Sequence, residues 1–86
     1  MIRDGSAKVD LEADLYCLLY NIKYLRGKYE LTQREMAELM GISVGSIAAI
    51  EKGIAPRCLR AKEIICLALD FHLSVDDLMK KRLDEA

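Results

Sequence analysis

Two short helices joined by a tight turn are the feature that most constrains this chain. Thr32 and Glu35 form a T-x-x-E capping box, which predicts that a helix begins directly after Thr32. Gly41 is expected to end that helix, because glycine adopts a positive φ at low cost. Ser43 then caps another helix, which Gly53 closes. This spacing predicts a helix-turn-helix motif, formed by the second and third helices of the chain.

A longer first helix is predicted before the motif, from about Asp10 to Lys28. Apolar residues recur there at intervals of three and four, as in a buried helical stripe: Leu11, Leu15, Leu18, Ile22 and Leu25. A second row on the same helix holds three tyrosines: Tyr16, Tyr20 and Tyr24. We expect this second row to be covered either by the chain's own C-terminal helix or by a second subunit.

Two more helices are predicted after the motif. The fourth runs from about Leu59 to Phe71, where apolar residues again recur at helical spacing. Ser74 and Asp77 form another capping pair, which starts a fifth helix. Its inward residues are expected to be Val75, Leu78, Met79 and Leu83.

The composition suits one small helical domain. The 86 residues are 52 % hydrophobic but only 6 % aromatic. We therefore expect a compact all-α domain of five helices at residues 10–83, with a flexible arm at residues 1–9 and a tail at residues 84–86.

The sequence offers little for catalysis, metal binding or membrane insertion. Three cysteines without a CxxC pair and one histidine support neither a disulfide framework nor a zinc site. No nucleophile–base pair or phosphate loop can be assembled, so we expect no enzyme activity, no cofactor and no evident small-molecule ligand. No apolar run reaches the roughly 18 residues of a membrane span, and no signal peptide opens the chain. We therefore expect a cytoplasmic protein.

The motif and its flanking residues together resemble a known family. The residues that carry the resemblance are Leu25-Arg26, Leu31-Thr32-Gln33-x-Glu35-x-Ala37, Gly41-Ile42-Ser43, Ile47, Ile50-Glu51-x-Gly53, Pro56 and Phe71-x-Leu73-Ser74-Val75-Asp76-Asp77-Leu78. From about Leu18 to Met79 the chain resembles the Cro and phage-repressor class, also called the xenobiotic-response-element family. The resemblance implies a lambda-repressor-like fold that binds double-stranded DNA, with the third helix in the major groove.

The resemblance assigns base reading to the start of the third helix, where this chain has small side chains. The aligned positions are Ser43, Val44, Gly45, Ser46 and Ala49. The resemblance also implies that Gln33, at the start of the second helix, touches the DNA backbone and supports the third helix. None of the five is an Arg, Lys, Asn or Gln, the residues that contact base edges with two hydrogen bonds. We therefore expect readout through thymine methyls, single hydroxyl hydrogen bonds and DNA shape.

Phosphate contacts are better provided than base contacts. Thr32 and five cations are the expected donors: Arg34, Lys52, Arg57, Arg60 and Lys62. Residues 21–62 carry eight basic and four acidic side chains, whereas both flanking segments have more acidic than basic ones. Such contacts set affinity and salt dependence rather than sequence preference.

Arg26 and Glu51 are expected to form a structural pair. Each follows a core residue, Leu25 or Ile50, so each side chain leaves the rim of the core. Members of the family commonly pair these positions.

Two functions fit this sequence. The first is a sequence-specific transcriptional regulator, a repressor that binds a pseudo-palindromic site as a homodimer, because one domain makes few contacts. Its dimer surface would be the tyrosine row or, with slight preference, the C-terminal helix, because the core should not absorb all of Leu73, Leu83 and the side pair Ile65 and Leu69. The alternative is a protein-interaction module of the antitoxin or anti-repressor type, with weak or no specific DNA binding.

Overall fold

Five α-helices and a terminal 3-10 turn make up the fold. The computed structural model describes the backbone of residues 5–85 and the side chains of residues 14–84. The helices are α1 (Gly5–Lys28), α2 (Gln33–Met40), α3 (Val44–Glu51), α4 (Ala61–Asp70) and α5 (Val75–Lys80), and the 3-10 turn covers Leu83–Glu85. No strand occurs within these described residues. The predicted all-α domain of five helices is confirmed.

The predicted caps set the bounds of α2 and the start of α3. The Thr32 hydroxyl accepts a hydrogen bond from the Glu35 backbone at 3.0 Å, and the Glu35 carboxylate accepts one from the Thr32 backbone at 2.8 Å. Gly41 ends α2 with a φ of 73°, and the Ser43 hydroxyl accepts from the Ser46 backbone at 3.1 Å. The connection between the two helices is therefore the predicted tight turn. At the other end of α3, Lys52 caps the helix and Gly53 follows it with a φ of 87°.

The core lies where α1 packs against α3 and α5 and where α2 packs against α3 and α4. Seven apolar side chains are almost fully buried there: Leu18, Ile22, Met36, Ile47, Ile50, Leu67 and Leu78. Met79 and Leu83 pack against this core while staying partly exposed. Val75, predicted to point inward, is instead 38 % exposed, because it is the first residue of α5 and lies beyond the buried turn around Leu78.

The first helix differs from its prediction in length and in its buried face. α1 begins at Gly5 rather than Asp10, so residues 5–9 are helical and are not part of a loose arm. Apolar periodicity marks only the packed part of a helix, whereas each added residue extends a helix by one further hydrogen bond. Leu15, expected in the core, is 38 % exposed, while Leu19 beside it is buried. The side chains of Leu11 and of residues 1–9 lie outside the described part of the chain.

The fourth helix is shorter than predicted at both ends. α4 begins at Ala61 because Arg60 has extended backbone and donates its N–H to the Glu63 carboxylate at 3.0 Å. At the other end, Phe71 is non-helical and His72 has a φ of 56°, which turns the chain out of the helix. The range from Leu59 to Phe71 was therefore too long.

A buried asparagine fixes the C-terminal segment to α1. The Asn21 side chain is fully buried, and its amide nitrogen donates to the carbonyls of Leu78 at 2.7 Å and Lys81 at 2.6 Å. Its amide oxygen accepts the backbone N–H of Leu83 at 2.9 Å. These bonds satisfy backbone groups that the end of α5 leaves without a helical partner. This role of Asn21 was not expected from the sequence.

The tyrosine row is only partly covered by the chain's own C-terminal segment. The Tyr20 hydroxyl bonds the Asp84 carboxylate at 2.5 Å, and the Arg82 guanidinium lies 4.1 Å from the centre of the Tyr20 ring. Tyr16 nevertheless stays 66 % exposed. α1 has 24 residues and no other helix has more than 10, so the shorter elements cannot cover its whole length.

Candidate nucleic-acid interface

The start of α3 presents a face of small side chains. Ser43, Val44 and Gly45 are exposed, while Ser46 and Ala49 are half-buried. Val44 is 39 % exposed, because the buried face of α3 runs through Ile47 and Ile50. An apolar side chain therefore stands on the side of α3 that faces away from the core.

The two hydroxyls on this face bond each other. The Oγ atoms of Ser43 and Ser46 are 2.9 Å apart, and either can donate. A hydroxyl has one donor hydrogen and two acceptor lone pairs, so each serine keeps some capacity for a further partner. The face can therefore form a few single hydrogen bonds.

Gly45 leaves open space in the middle of this face. A Cβ built there would meet nothing nearer than the Ser43 Oγ at 3.9 Å. No packing within the described chain requires a glycine at this position. Its effect is to let another molecule approach the α3 backbone closely.

The loop between α3 and α4 lies beside the start of α3. The Cys58 thiol donates to the Ser46 Oγ at 3.2 Å. Cys58 is half-buried. This contact brings the neighbouring Arg57 close to the same end of the helix.

The other end of α3 is held by a network of charge and hydrogen bonds. The Arg26 guanidinium contacts the Glu51 carboxylate through two nitrogens, and a third nitrogen donates to the Leu31 carbonyl at 2.9 Å. The Gln33 amide also donates to Glu51, at 3.1 Å. The side chains of Arg26 and Glu51 are 26 % and 11 % exposed. The network therefore joins α1, the start of α2 and the end of α3.

The network shifts the acid–base equilibria of its charged members. Burial by itself would raise the pKa of Glu51, but hydrogen bonds from Arg26 and Gln33 and the charges of Arg26 and Lys23 lower it overall. The pKa of Arg26 is raised, chiefly by its hydrogen bond to Glu51. Both groups therefore stay ionised at neutral pH.

The five predicted phosphate-binding cations are all exposed: Arg34, Lys52, Arg57, Arg60 and Lys62. In the part of the chain that the structure describes, none of them has a carboxylate within ion-pairing distance. They lie on α2, at the end of α3 and around the start of α4. The Thr32 hydroxyl is used as the α2 cap acceptor but keeps its own hydrogen for donation.

Neither a membrane span nor a metal site is found among the described residues. Residues 5–85 contain no helix that is both long and apolar enough to span a membrane. The described His, Cys, Asp and Glu side chains form no group of three that could hold a metal ion. What the start of α3 can do is contact another surface through methyls, hydroxyls and backbone.

A sequence model of a helix-turn-helix family of the Cro/repressor type matches residues 22–78, which is well over half of the chain. The chain belongs to this family. No curated protein and no solved structure matches the chain. As a Cro/repressor-type helix-turn-helix protein, it binds double-stranded DNA and is a transcription regulator in the broad sense.

The family match covers the helix-turn-helix and parts of the helices that pack against it. The matched segment contains the last turns of α1, all of α2, α3 and α4 with the turns between them, and the first turn of α5. Two contacts were not anticipated from the sequence: Asn21 under the C-terminal segment and Cys58 against Ser46. A polar residue between the apolar rows of α1 is the one pattern that indicates a buried role for Asn21.

Proposed function

We propose that the protein is a repressor that binds a pseudo-palindromic site as a homodimer. The observation that carries this proposal is the exposed start of α3, an exposed helix face that the Arg26–Glu51 network supports from its other end. Ser43, Val44 and Ala49 are proposed to meet base edges in the major groove, together with Gly45 and Ser46. Gln33 serves mainly to support α3, because its amide donates to Glu51.

Affinity comes from the phosphate-binding set. We assign these contacts to the exposed residues Thr32, Arg34, Lys52, Arg57, Arg60 and Lys62. The five cations form no ion pairs within the described chain, which supports this role, since no described carboxylate competes with a phosphate for them. Occupying a promoter site blocks other proteins without further contacts, so repression needs only this interface.

Dimerisation is assigned to the outer face of α4. Ile65 is 50 % exposed and Leu69 is 69 % exposed, one helical turn apart. Leu73 and Leu83, which the sequence grouped with them, pack against the protein's own core and are not available. The dimer surface is therefore smaller than the sequence suggested and is centred on Ile65 and Leu69.

Selection of binding sites from a random duplex pool tests the DNA-reading part. Enrichment of an inverted repeat, with half-site centres about 34 Å apart, is the expected result. Enrichment of a single half-site would contradict the dimer, and an unenriched pool would favour the protein-interaction alternative. Transcription in vitro from a template with the enriched site should fall as protein is added, and a rise would contradict repression.

Sedimentation at micromolar concentration tests the dimer surface separately. Ile65→Glu and Leu69→Glu should each give a monomer. Ile54→Glu is the matched control, because Ile54 is a comparably exposed apolar residue, at 57 %, in the loop after α3. If the wild type is already a monomer, or if only Ile54→Glu dissociates it, the α4 assignment is wrong.

A further inference from the structure

A groove of about 790 Å³ runs between α1 and the end of α3. Its walls are formed by residues 16–28 of α1 and residues 50–53, and we call it the α1–α3 groove. Small-molecule sites usually have volumes of roughly 300–1,000 Å³ and combine an apolar lining with a few polar groups. The size of the groove therefore suits a small molecule better than a protein domain.

The lining of the α1–α3 groove is apolar and aromatic. Leu19 and Ile50 are buried in its floor, and three tyrosines on successive turns of α1 form one wall: Tyr16, Tyr20 and Tyr24. The Tyr16 ring is 66 % exposed, so it offers unused surface to a ligand. Such a surface favours an aliphatic chain or an aromatic ring.

The charged groups of the α1–α3 groove are mostly cationic. Lys23, Lys28 and Lys52 line it, and none has an ion-pairing carboxylate among the described residues. Glu51 is the acid in the lining, and its carboxylate already accepts hydrogen bonds from Arg26 and Gln33. The lining therefore carries three positive charges and one negative charge, and Lys28 also lies over the Tyr24 ring, 5.9 Å from its centre.

We propose that the α1–α3 groove binds a small amphipathic anion, an aliphatic or aromatic carboxylic acid, and that its occupancy weakens DNA binding. The apolar body lies along the tyrosines, and the carboxylate meets the lysines. A symmetric contact between two copies at this groove would bring like-charged lysines together, which is unfavourable. A second copy is therefore a poorer occupant than an anion.

The link to DNA runs through Lys52, and it depends on the proposed function. Lys52 lines the groove and is also one of the proposed phosphate contacts. A carboxylate bound to Lys52 removes one cation from the interface and adds a negative charge next to it. Loss of one phosphate contact should reduce the slope of log affinity against log salt by about 0.9.

Fluorescence of anilinonaphthalene sulfonate, an aromatic anion, measures binding to the groove without DNA. We expect a saturable rise at one dye per chain, reversed by dodecanoate. Phenylnaphthylamine, a similar aromatic without the sulfonate, should bind more weakly. Lys23→Gln and Lys28→Gln should each weaken sulfonate binding by about two- to fivefold and leave the neutral dye unchanged.

Gly27 provides a way to fill the groove without disturbing the fold. It lies in the groove wall, and a Cβ there would meet no heavy atom within 4 Å. Gly27→Phe should therefore place a ring in the groove and weaken dye binding by about tenfold or more. Gly27→Ala is the matched control, because it favours the helix and should leave binding within about twofold.

Each outcome decides one part of the proposal. An absence of saturable binding, equal binding of both dyes or unchanged binding by Gly27→Phe would overturn the site. Displacement by an acidic peptide but not by dodecanoate would assign the groove to a protein partner and overturn the small-molecule occupant. Dye binding with unchanged DNA affinity would overturn only the link through Lys52. A protein that binds the dye but no DNA would contradict the proposed function and leave the site in place.

Discussion

The two ends of α3 are held in different ways. At its C-terminal end, Glu51 is 11 % exposed and accepts hydrogen bonds from Arg26 on α1 and Gln33 on α2. At its N-terminal end, Ser43 and Ser46 bond each other, and Val44 is 39 % exposed. One end is tied to two other helices, whereas the other end presents small groups to the surroundings.

This difference indicates that the residues that position α3 are not the residues that discriminate between DNA sequences. A rigidly placed helix loses little conformational entropy on binding, which favours affinity for any surface of the right shape. Discrimination between bases is a separate property, and each bidentate contact contributes about 1–3 kcal/mol of it. The scaffold thus specifies where α3 lies more strongly than α3 specifies a base sequence.

Breaking the network at the C-terminal end of α3 should have the greatest effect on the fold. Glu51→Met leaves the Arg26 guanidinium half-buried without its carboxylate, and we expect a loss of about 3 kcal/mol in the free energy of unfolding. Urea denaturation at low temperature measures it. Lys81→Met is the matched control, because the ion pair of Lys81 with Asp77 is well exposed and should contribute at most about 0.5 kcal/mol.

A double-mutant cycle separates the interaction energy of the Arg26–Glu51 pair from the contribution of each residue alone. Arg26→Met together with Glu51→Met should cost clearly less than the sum of the single changes, because neither charge is left alone. Small, additive losses would show that the pair does not hold α3. In that case the C-terminal end of α3 would not be held more firmly than its N-terminal end.

Replacing Asn21 tests whether the C-terminal segment stabilises the protein without also positioning α3. Asn21→Ala leaves the Leu78 and Lys81 carbonyls and the Leu83 N–H without their partner, and we expect a loss of about 2–3 kcal/mol. Hydrogen exchange should show the Leu83 amide opening first. DNA affinity measured where the variant is folded should stay unchanged, and a large fall would show that the C-terminal segment also positions α3.

Much of the fold follows from local sequence, because capping and periodicity are local. The cap at Thr32, the turn at Gly41 and the cap at Ser43 are set by residues within one helical turn of each other. The start of α1 was missed because its first residues carry no apolar stripe. The predicted α4 is too long at its start because the apolar pattern reaches back to Leu59, whereas Arg60 has an extended backbone and the helix begins only after it.

The parts of the site that the sequence did not indicate depend on distant contacts. Asn21 reaches a carbonyl 57 residues away, and Cys58 reaches a serine 12 residues away across a loop. No local pattern encodes such a pairing. The α1–α3 groove was missed for the same reason, since it exists only where α1 passes the end of α3.

Acid should loosen the C-terminal end of α3 before it affects the other end. The pKa of Glu51 is lower in the folded protein than in the unfolded chain, so the unfolded chain takes up its proton first as the pH falls. The stability from Glu51 is therefore fully present above the ordinary glutamate pKa, about 4.3, and is lost as the pH falls below it. Urea unfolding as a function of pH measures this loss.

Glu51→Gln is the reference for that measurement. It should lower stability at neutral pH and flatten its dependence on pH in the acid range, because residue 51 no longer titrates. If wild type and variant show parallel pH profiles, the carboxylate does not support α3 through its charge.

Replacing a cation near the start of α3 should change the salt dependence of DNA binding without changing the sequence preference. Arg57→Gln removes one proposed phosphate contact, so the slope of log affinity against log salt should fall by about 0.9. Lys81→Gln removes an exposed cation outside the proposed interface and should leave the slope unchanged. Fluorescence anisotropy with the selected duplex measures both. Equal effects of the two variants would show that the protein binds DNA only through its general charge.

The smallest effect is expected from the reading face itself, and it concerns Val44. If its methyls meet a thymine methyl, replacing that thymine by uracil should weaken wild-type binding by about fourfold, the equivalent of one buried methyl group. Val44→Ala should weaken binding to the thymine site by a similar factor and remove the difference between thymine and uracil. Alanine favours a helix, so the variant should remain folded. If the wild type binds both sites equally while still selecting one sequence, Val44 does not read that thymine methyl, and the selection comes from the serine hydroxyls or from DNA shape.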